Sequence, residues 1–211
     1  MKGITFGDVH SWYDLNLVLA PFTIPPAAVK TNFVDIPGGD GSVDLTEALG
    51  EPRYKDRTCK FTFSVLPEDD FEEKKTEVSN LLSGKRCKII LDKDPDYYWD
   101  GRCTIDEFSC DKNLKKIVVG AVVAPYKLKI AQSKVTIPAG ENVTGILWNG
   151  RKTVVPIITA TAEATIVFAG NTYTVNAGTH KLLNIELHED LNQITVTSAE
   201  PVVFVYQEGD L

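Results

Sequence analysis

Polar and apolar residues alternate most clearly at residues 60–66, where Phe61, Phe63 and Val65 are interleaved with Thr62 and Ser64. That period of two predicts a strand with one buried face. Pro67 then stops the strand and opens a helix over 68–83, with Phe71, Val78, Leu81 and Leu82 on one side. Glu68, Asp69 and Asp70 fill its first turn, where the positive end of the helix dipole favours carboxylates. Gly84 is its C-terminal stop. Residues 85–92 predict a strand with Cys87, Ile89 and Leu91 on one face. Residues 97–109 and 114–124 predict two further antiparallel strands, with Asp111-Lys-Asn113 as the turn between them. Farther along, strand-like runs recur at 154–161, 164–168, 172–175, 182–187, 193–197 and 202–206. Gly170-Asn171 reads as a two-residue hairpin turn, and Ala177-Gly-Thr179 and Glu189-Asp-Leu-Asn192 as turn clusters. Strands spaced roughly 8–12 residues apart, without a helix or an internal repeat, predict a small sandwich or jelly roll.

Composition divides the chain at the same place. Residues 1–130 hold 18 of the 22 Lys and Arg and 21 of the 29 Asp and Glu. The last 81 residues hold 4 and 8 and are rich in Thr, Val, Ile and Ala. Two domains are expected, 1–131 and 132–211, joined near Lys129-Ile-Ala-Gln-Ser133. The predicted fold class is mainly β: an α+β sandwich or barrel with one helix, then an all-β sandwich. A net charge of −7 argues against nucleic acid as a partner, because phosphate binding wants clustered Lys and Arg. It argues equally against a basic membrane surface. The opening Met1-Lys-Gly-Ile-Thr-Phe-Gly-Asp8 has no apolar secretory segment, and no run approaches the ~20 apolar residues of a membrane helix. The expectation is a protein made in the cytoplasm and not secreted.

Candidate chemistry is sparse. His10, His180 and His188 sit in no Gly-x-Ser-x-Gly or Cys-His signature, so no catalytic residue is expected. His180 and His188 read as surface residues. Asp92, Asp94 and Asp96 alternate like the opening of a calcium loop. The sixth position, which requires Gly, is Tyr97, and the twelfth, which requires Glu, is Cys103. The run therefore reads as a solvated connection with Pro95 fixing a turn, and no metal is expected. Cys59, Cys87, Cys103 and Cys110 lack Cys-x-x-Cys spacing and read as free, partly buried thiols, with a Cys103–Cys110 bridge across a hairpin as the alternative. In Tyr97-Tyr-Trp99, Tyr98 faces one way and Tyr97 and Trp99 the other. Pro37-Gly-Gly-Asp-Gly-Ser42 lacks the Gly-Lys-Ser/Thr ending of a phosphate loop, and its acidity repels phosphate. It reads as a flexible loop or the tip of a long hairpin. No cofactor is expected.

Several of these features occur in a set order. They are Ile4-Thr-Phe-Gly-Asp8, Gly39-Asp-Gly41, Tyr54, Arg57, Phe61-Thr-Phe63, Leu81-Leu-Ser-Gly-Lys85, Tyr97-Tyr-Trp-Asp-Gly-Arg102 and Pro125-Tyr-Lys127. Asn149-Gly150, Pro156, Gly170-Asn171 and Val203-Phe-Val-Tyr-Gln-Glu-Gly209 follow. The ordered set resembles the distal tail (Dit-like) proteins of long-tailed phages and prophages. The resemblance implies a ring-forming N-terminal domain and a galectin-like C-terminal sandwich. It implies a hexameric homo-oligomer in the virion tail, joining the tail tube protein to the tail-tip or baseplate protein, with no enzymatic activity. Gly38, Gly39, Asp40, Gly41 and Ser42 are then the candidate subunit-interface arm. A second reading is a carbohydrate-binding protein that uses the C-terminal sandwich, with Trp148 as the sugar contact.

Overall fold

The structure, a computed structural model, describes residues 3–48, 50–111 and 114–211. It divides into two compact units, Met1–Pro125 and Tyr126–Leu211. The boundary lies before the junction expected from composition because Lys127–Lys129 pairs with Gly209–Asp210 near the other end of the second unit.

In chain order the first unit comprises β1 (Ile4–Phe6), β2 (Val9–His10), β3 (Leu17–Leu19), β4 (Phe33–Asp35), β5 (Ser42–Asp44), β6 (Arg57–Val65), α1 (Phe71–Leu82), β7 (Arg86–Leu91), β8 (Asp94–Asp111) and β9 (Leu114–Val123). One antiparallel sheet runs β2-β1-β7-β8-β9-β6-β3. The alternation in β6 is complete: Arg57, Cys59, Phe61, Phe63 and Val65 point inward. Four ladder steps separate β1 from β6, about 19 Å in a flat sheet. Yet the Phe6 ring lies edge-on to Phe61 and Phe63, with centroids 6.1 and 6.2 Å away. The sheet therefore curls into a half-barrel around its core, and Val78 and Leu82 of α1 are buried with that core.

The helix starts later than its acidic run suggested. Glu68 and Asp69 form a preceding turn, in which the Asp69 amide donates to the Leu66 carbonyl at 3.1 Å. Asp70 is the N-cap and accepts from the Glu73 amide at 3.0 Å, which holds its carboxyl below the ordinary range. Gly84, at φ +74°, ends the helix. The predicted turn at Pro95 is also displaced. Leu91 pairs with Asp94, so Asp92 and Lys93 make the turn, and Pro95 lies within β8 at a register shift. Of the Asp111-Lys-Asn113 turn, Lys112 and Asn113 lie outside the described residues; Asp111 pairs with Leu114. Cys103 and Cys110 stand seven residues apart on one strand, about 23 Å by strand rise, so no hairpin bridge joins them.

The second unit comprises β10 (Lys127–Lys129), β11 (Ser133–Ile137), β12 (Gly140–Asn149), β13 (Ile157–Ala160), β14 (Ala164–Phe168), β15 (Asn171–Val175), β16 (Gly178–His180), β17 (Asp190–Ser198), β18 (Val202–Tyr206) and β19 (Gly209–Asp210). Two four-stranded antiparallel sheets, β11-β18-β13-β16 and β12-β17-β14-β15, supply inward residues to a second core. The β14–β15 turn is centred on Ala169-Gly170, one residue before the predicted pair, since Phe168 pairs with Asn171. Both turn residues have positive φ, 47° and 77°, as a primed hairpin turn requires. Ala177-Gly-Thr179 runs into β16, and Asp190 to Asn192 belong to β17, so neither cluster is only a turn. Residues 182–187 form no strand. A turn from the Leu182 carbonyl to the Ile185 amide (3.0 Å) and a single bridge at Leu187 replace it.

Candidate functional site

The segment from Ala28 to Lys55 leaves the first unit's sheet as a long hairpin. Its base is fixed where the Lys55 amide donates to the Ala28 carbonyl (2.8 Å) and the Lys30 amide to the Arg53 carbonyl (2.7 Å), with Val29 bridging Tyr54. Farther out, the Asn32 amide donates to the Thr46 hydroxyl at 3.0 Å. Hydrogen bonds from the Thr46 hydroxyl and amide hold the Asp44 carboxyl below its ordinary value. In β4 and β5, Phe33 pairs with Asp44, Val34 with Val43 and Asp35 with Ser42. Ser42 donates to the Asp35 carboxylate at 2.5 Å.

Gly38, Gly39, Asp40 and Gly41 form the tip of this hairpin, and Ser42 begins β5. Gly38 and Gly41 have φ of +80° and +75°, so glycine is needed there to reverse the chain. Leu49 lies outside the described residues. The tip carries no large side chain; the flanks do. Phe33, Val34, Ile36, Val43 and Leu45 are 58, 45, 55, 43 and 39% exposed. A two-stranded ribbon with apolar side chains on both faces gains little from remaining in water. This cluster is the feature the sequence reading missed. Its signal was the apolar residue on either side of Asp35 and of Asp44.

The other candidates do not converge. His10 Nδ1 accepts from the Trp12 and Tyr13 amides, both at 3.1 Å, so its Nε2 carries the proton and faces Asp92 at 3.2 Å. Asp92 also accepts from the Gly3 amide at 2.6 Å. His10 is thus committed to holding β1, β2 and the Asp92 turn together. His180 donates to the Asn176 carbonyl at 2.8 Å. Among the described residues no three His, Cys, Asp or Glu side chains form a group that could hold a metal ion. Trp99 is buried, while Lys88 sits over the Tyr98 ring at 4.7 Å on the other side of β8.

In the second unit a groove of about 740 Å³ is lined by Asn171, Tyr173, Asn184, Glu186, His188 and Gln193, among others. Trp148 is 58% exposed and pairs in register with Leu191, which also lines the groove. Beneath it, the buried Tyr206 hydroxyl donates to the Trp148 carbonyl at 2.5 Å. Burial and the nearby Glu208 push that phenol up to about 12.

No protein-family model matches the chain, and no curated protein matches it. Among solved structures it is similar to the Dit protein (gp 19.1) of phage SPP1, described as a paradigm of the hub adsorption apparatus in phages that infect Gram-positive bacteria. The two share 12% identity, 100% of each chain is covered, and the TM-score is 0.72. The chain shares the fold of that Dit protein. Within that fold the scattered sequence markers meet in pairs. Arg57, 7% exposed, donates to the Pro125 carbonyl at 2.5 Å and to that of Pro25 at 3.4 Å. Arg102 donates to the Gly84 carbonyl at 2.5 Å. Phe61 and Phe63 fill the half-barrel, and Gly39-Asp-Gly41 caps the hairpin arm.

Proposed function

We propose that this chain is a structural, non-enzymatic component of a long-tailed phage or prophage tail. It forms a homo-oligomeric ring, a hexamer, that joins the tail tube protein to the tail-tip or baseplate protein. On this reading it is made in the host cytoplasm and resides in the virion tail, with no nucleic acid or membrane partner. The observation that carries the reading is the apolar hairpin arm on a distal tail fold. A closed ring needs a heterologous contact, in which two different faces of the protomer meet. An arm with apolar residues on both faces is suited to lie against a neighbouring copy. Deleting Gly38, Gly39, Asp40, Gly41 and Ser42 should abolish the oligomer while leaving the circular dichroism spectrum unchanged. The intact chain should elute with a light-scattering mass of six 23.2-kDa copies. A deletion variant that still elutes at that mass would remove the hairpin tip, residues 38–42, from the interface.

The groove in the second unit supports a second reading, carbohydrate binding. It pairs one half-buried aromatic, Tyr173, with amide and carboxylate groups, which is the mixture a polyhydroxylated ring recognises. Trp148 stands beside it on the outer face of the sheet. A glycan array probed with the full chain should then give hits that Trp148→Ala or Tyr173→Ala removes; an array without hits ends this reading.

A further inference from the structure

Two adjacent strands of the first unit carry thiols on the same, core-facing side. Cys87 stands on β7 and Cys103 on β8, with their Sγ atoms 3.6 Å apart. In the register of this pair Cys87 lies directly opposite Gly101. Cys103 lies two residues farther, where its amide donates to the Lys85 carbonyl at 2.8 Å and its carbonyl accepts from the Gly84 amide at 2.9 Å. The thiols therefore form a diagonal pair. Strand twist brings one of the two diagonals of an antiparallel pair closer than the other. Gly101 clears the way. A Cβ there would sit 2.6 Å from Val123 Cγ1 and 2.8 Å from the Val122 carbonyl oxygen. With no side chain opposite it, Cys87 can lean along the diagonal to Cys103.

The two thiols are not equivalent. Cys103 is fully buried, and Cys87 is half-buried. The S–H···S contact favours the Cys87 thiolate and pushes Cys103 upward, with burial adding to the latter. The remaining cysteines stand apart. Cys59 is on β6 and pairs with Ala121 of β9, which in turn pairs with Cys103, so a whole strand intervenes, about 10 Å. Cys110 is exposed, seven residues along β8.

We propose that Cys87 and Cys103 are a modification site, a dithiol that a low-molecular-weight disulfide such as oxidised glutathione closes into a cross-strand disulfide within the folded protein. In the first step the Cys87 thiolate attacks one glutathione sulfur. The glutathione disulfide bond breaks, a Cys87–glutathione mixed disulfide forms, and glutathione thiolate leaves to take up a proton. In the second step Cys103 gives its proton to solvent and attacks the Cys87 sulfur. The protein disulfide forms, and a second glutathione leaves. Two protein thiols are oxidised and one glutathione disulfide is reduced to two thiols. The Sγ separation must fall from 3.6 Å to about 2.05 Å, which for a diagonal pair takes side-chain rotation together with a small approach of β7 and β8. The closed bond would tie β7 to β8 and shorten the loops available to the unfolded first unit. The proposal concerns the chemistry of one sheet and is independent of the tail reading.

The test uses the full chain incubated with oxidised glutathione under native conditions, followed by intact mass and non-reducing peptide mapping. The expected result is a Cys87–Cys103 linked peptide, lacking the mass of two hydrogens. Alongside it, the melting temperature of the first unit should rise by about 10 °C, and dithiothreitol should reverse the rise. Cys87→Ser should give no linked peptide and no thermal shift. Should that variant fail to fold, the wild-type map alone decides. A stable glutathione adduct at Cys87 without a cross-link overturns the proposal. So does a chain in which Cys110 is consumed while Cys87 and Cys103 stay reduced.

Discussion

Replacing Phe63 with alanine is expected to cost about 3–5 kcal/mol and to lower the unfolding midpoint of the first unit by roughly 15 °C. Phe63 is completely buried. It pairs with Ile117 of β9 on one side and with Leu19 of β3 on the other. Phe6 meets it edge-on across the curl of the sheet. The phenyl ring thus serves two kinds of contact, between neighbouring strands and between strands four ladder steps apart. Alanine reaches neither, and the surrounding backbone is tied by ladder hydrogen bonds that resist collapse into the void. Thr62, one residue earlier, faces outward on the same strand. Its replacement by alanine is the internal comparison, with a change within about 0.5 kcal/mol. Calorimetry and urea titration read both. A Phe63→Ala loss below about 1 kcal/mol would mean that the sheet does not close over this ring.

The same packing explains which elements could be read from the sequence. β6, β14 and β18 each bury one face and leave the other partly wet, so their alternation is nearly undisturbed. α1 was legible because its apolar positions, acidic first turn and terminal glycine agree. β12 was not. Its inner positions include Gly145, where a Cβ would meet Ile137 at 2.7 Å, and Asn149, which donates to the Leu187 carbonyl at 2.9 Å. Its outer positions include Ile146 and Trp148, both more than half exposed. Gly145 and Asn149 inside, with Ile146 and Trp148 outside, break the alternation that the inward Val143 and Leu147 would otherwise mark. Residues 182–187 fail in the opposite sense. Leu182, Leu183, Ile185 and Leu187 imitate a strand, yet Leu183 is 70% exposed and the buried Ile185 and Leu187 come from irregular backbone. At the candidate site, the glycines announced a hairpin tip because positive φ restricts residue choice so sharply. The apolar flanks were invisible as a surface, since alternation alone does not say whether a core lies beneath them. The same gap applied to the thiols: β7 and β8 were both predicted, but only their register places Cys87 beside Cys103.

Phe204→Ala should be the counterpart in the second unit, again about 3–5 kcal/mol. Phe204 is fully buried on β18, between Val135 of β11 and Ile158 of β13. It belongs to a core that shares no residue with the one around Phe63. If residues 1–131 and 132–211 behave as separate domains, calorimetry will resolve two transitions. Phe63→Ala will then move only one, and Phe204→Ala only the other. The β10–β19 pair gives this a sharper form, because it assigns residues just after Pro125 to the second unit. Proteolysis of Phe204→Ala at a temperature between the two midpoints should leave a protected fragment ending near Pro125. Trp148→Ala is the control within the same unit. Its ring is mostly exposed, and Tyr206 holds its backbone carbonyl regardless of side chain, so stability should change by no more than about 0.5 kcal/mol. If Phe204→Ala instead shifted both transitions equally, the two cores would be unfolding as one cooperative block, and the two-domain reading would have to be given up.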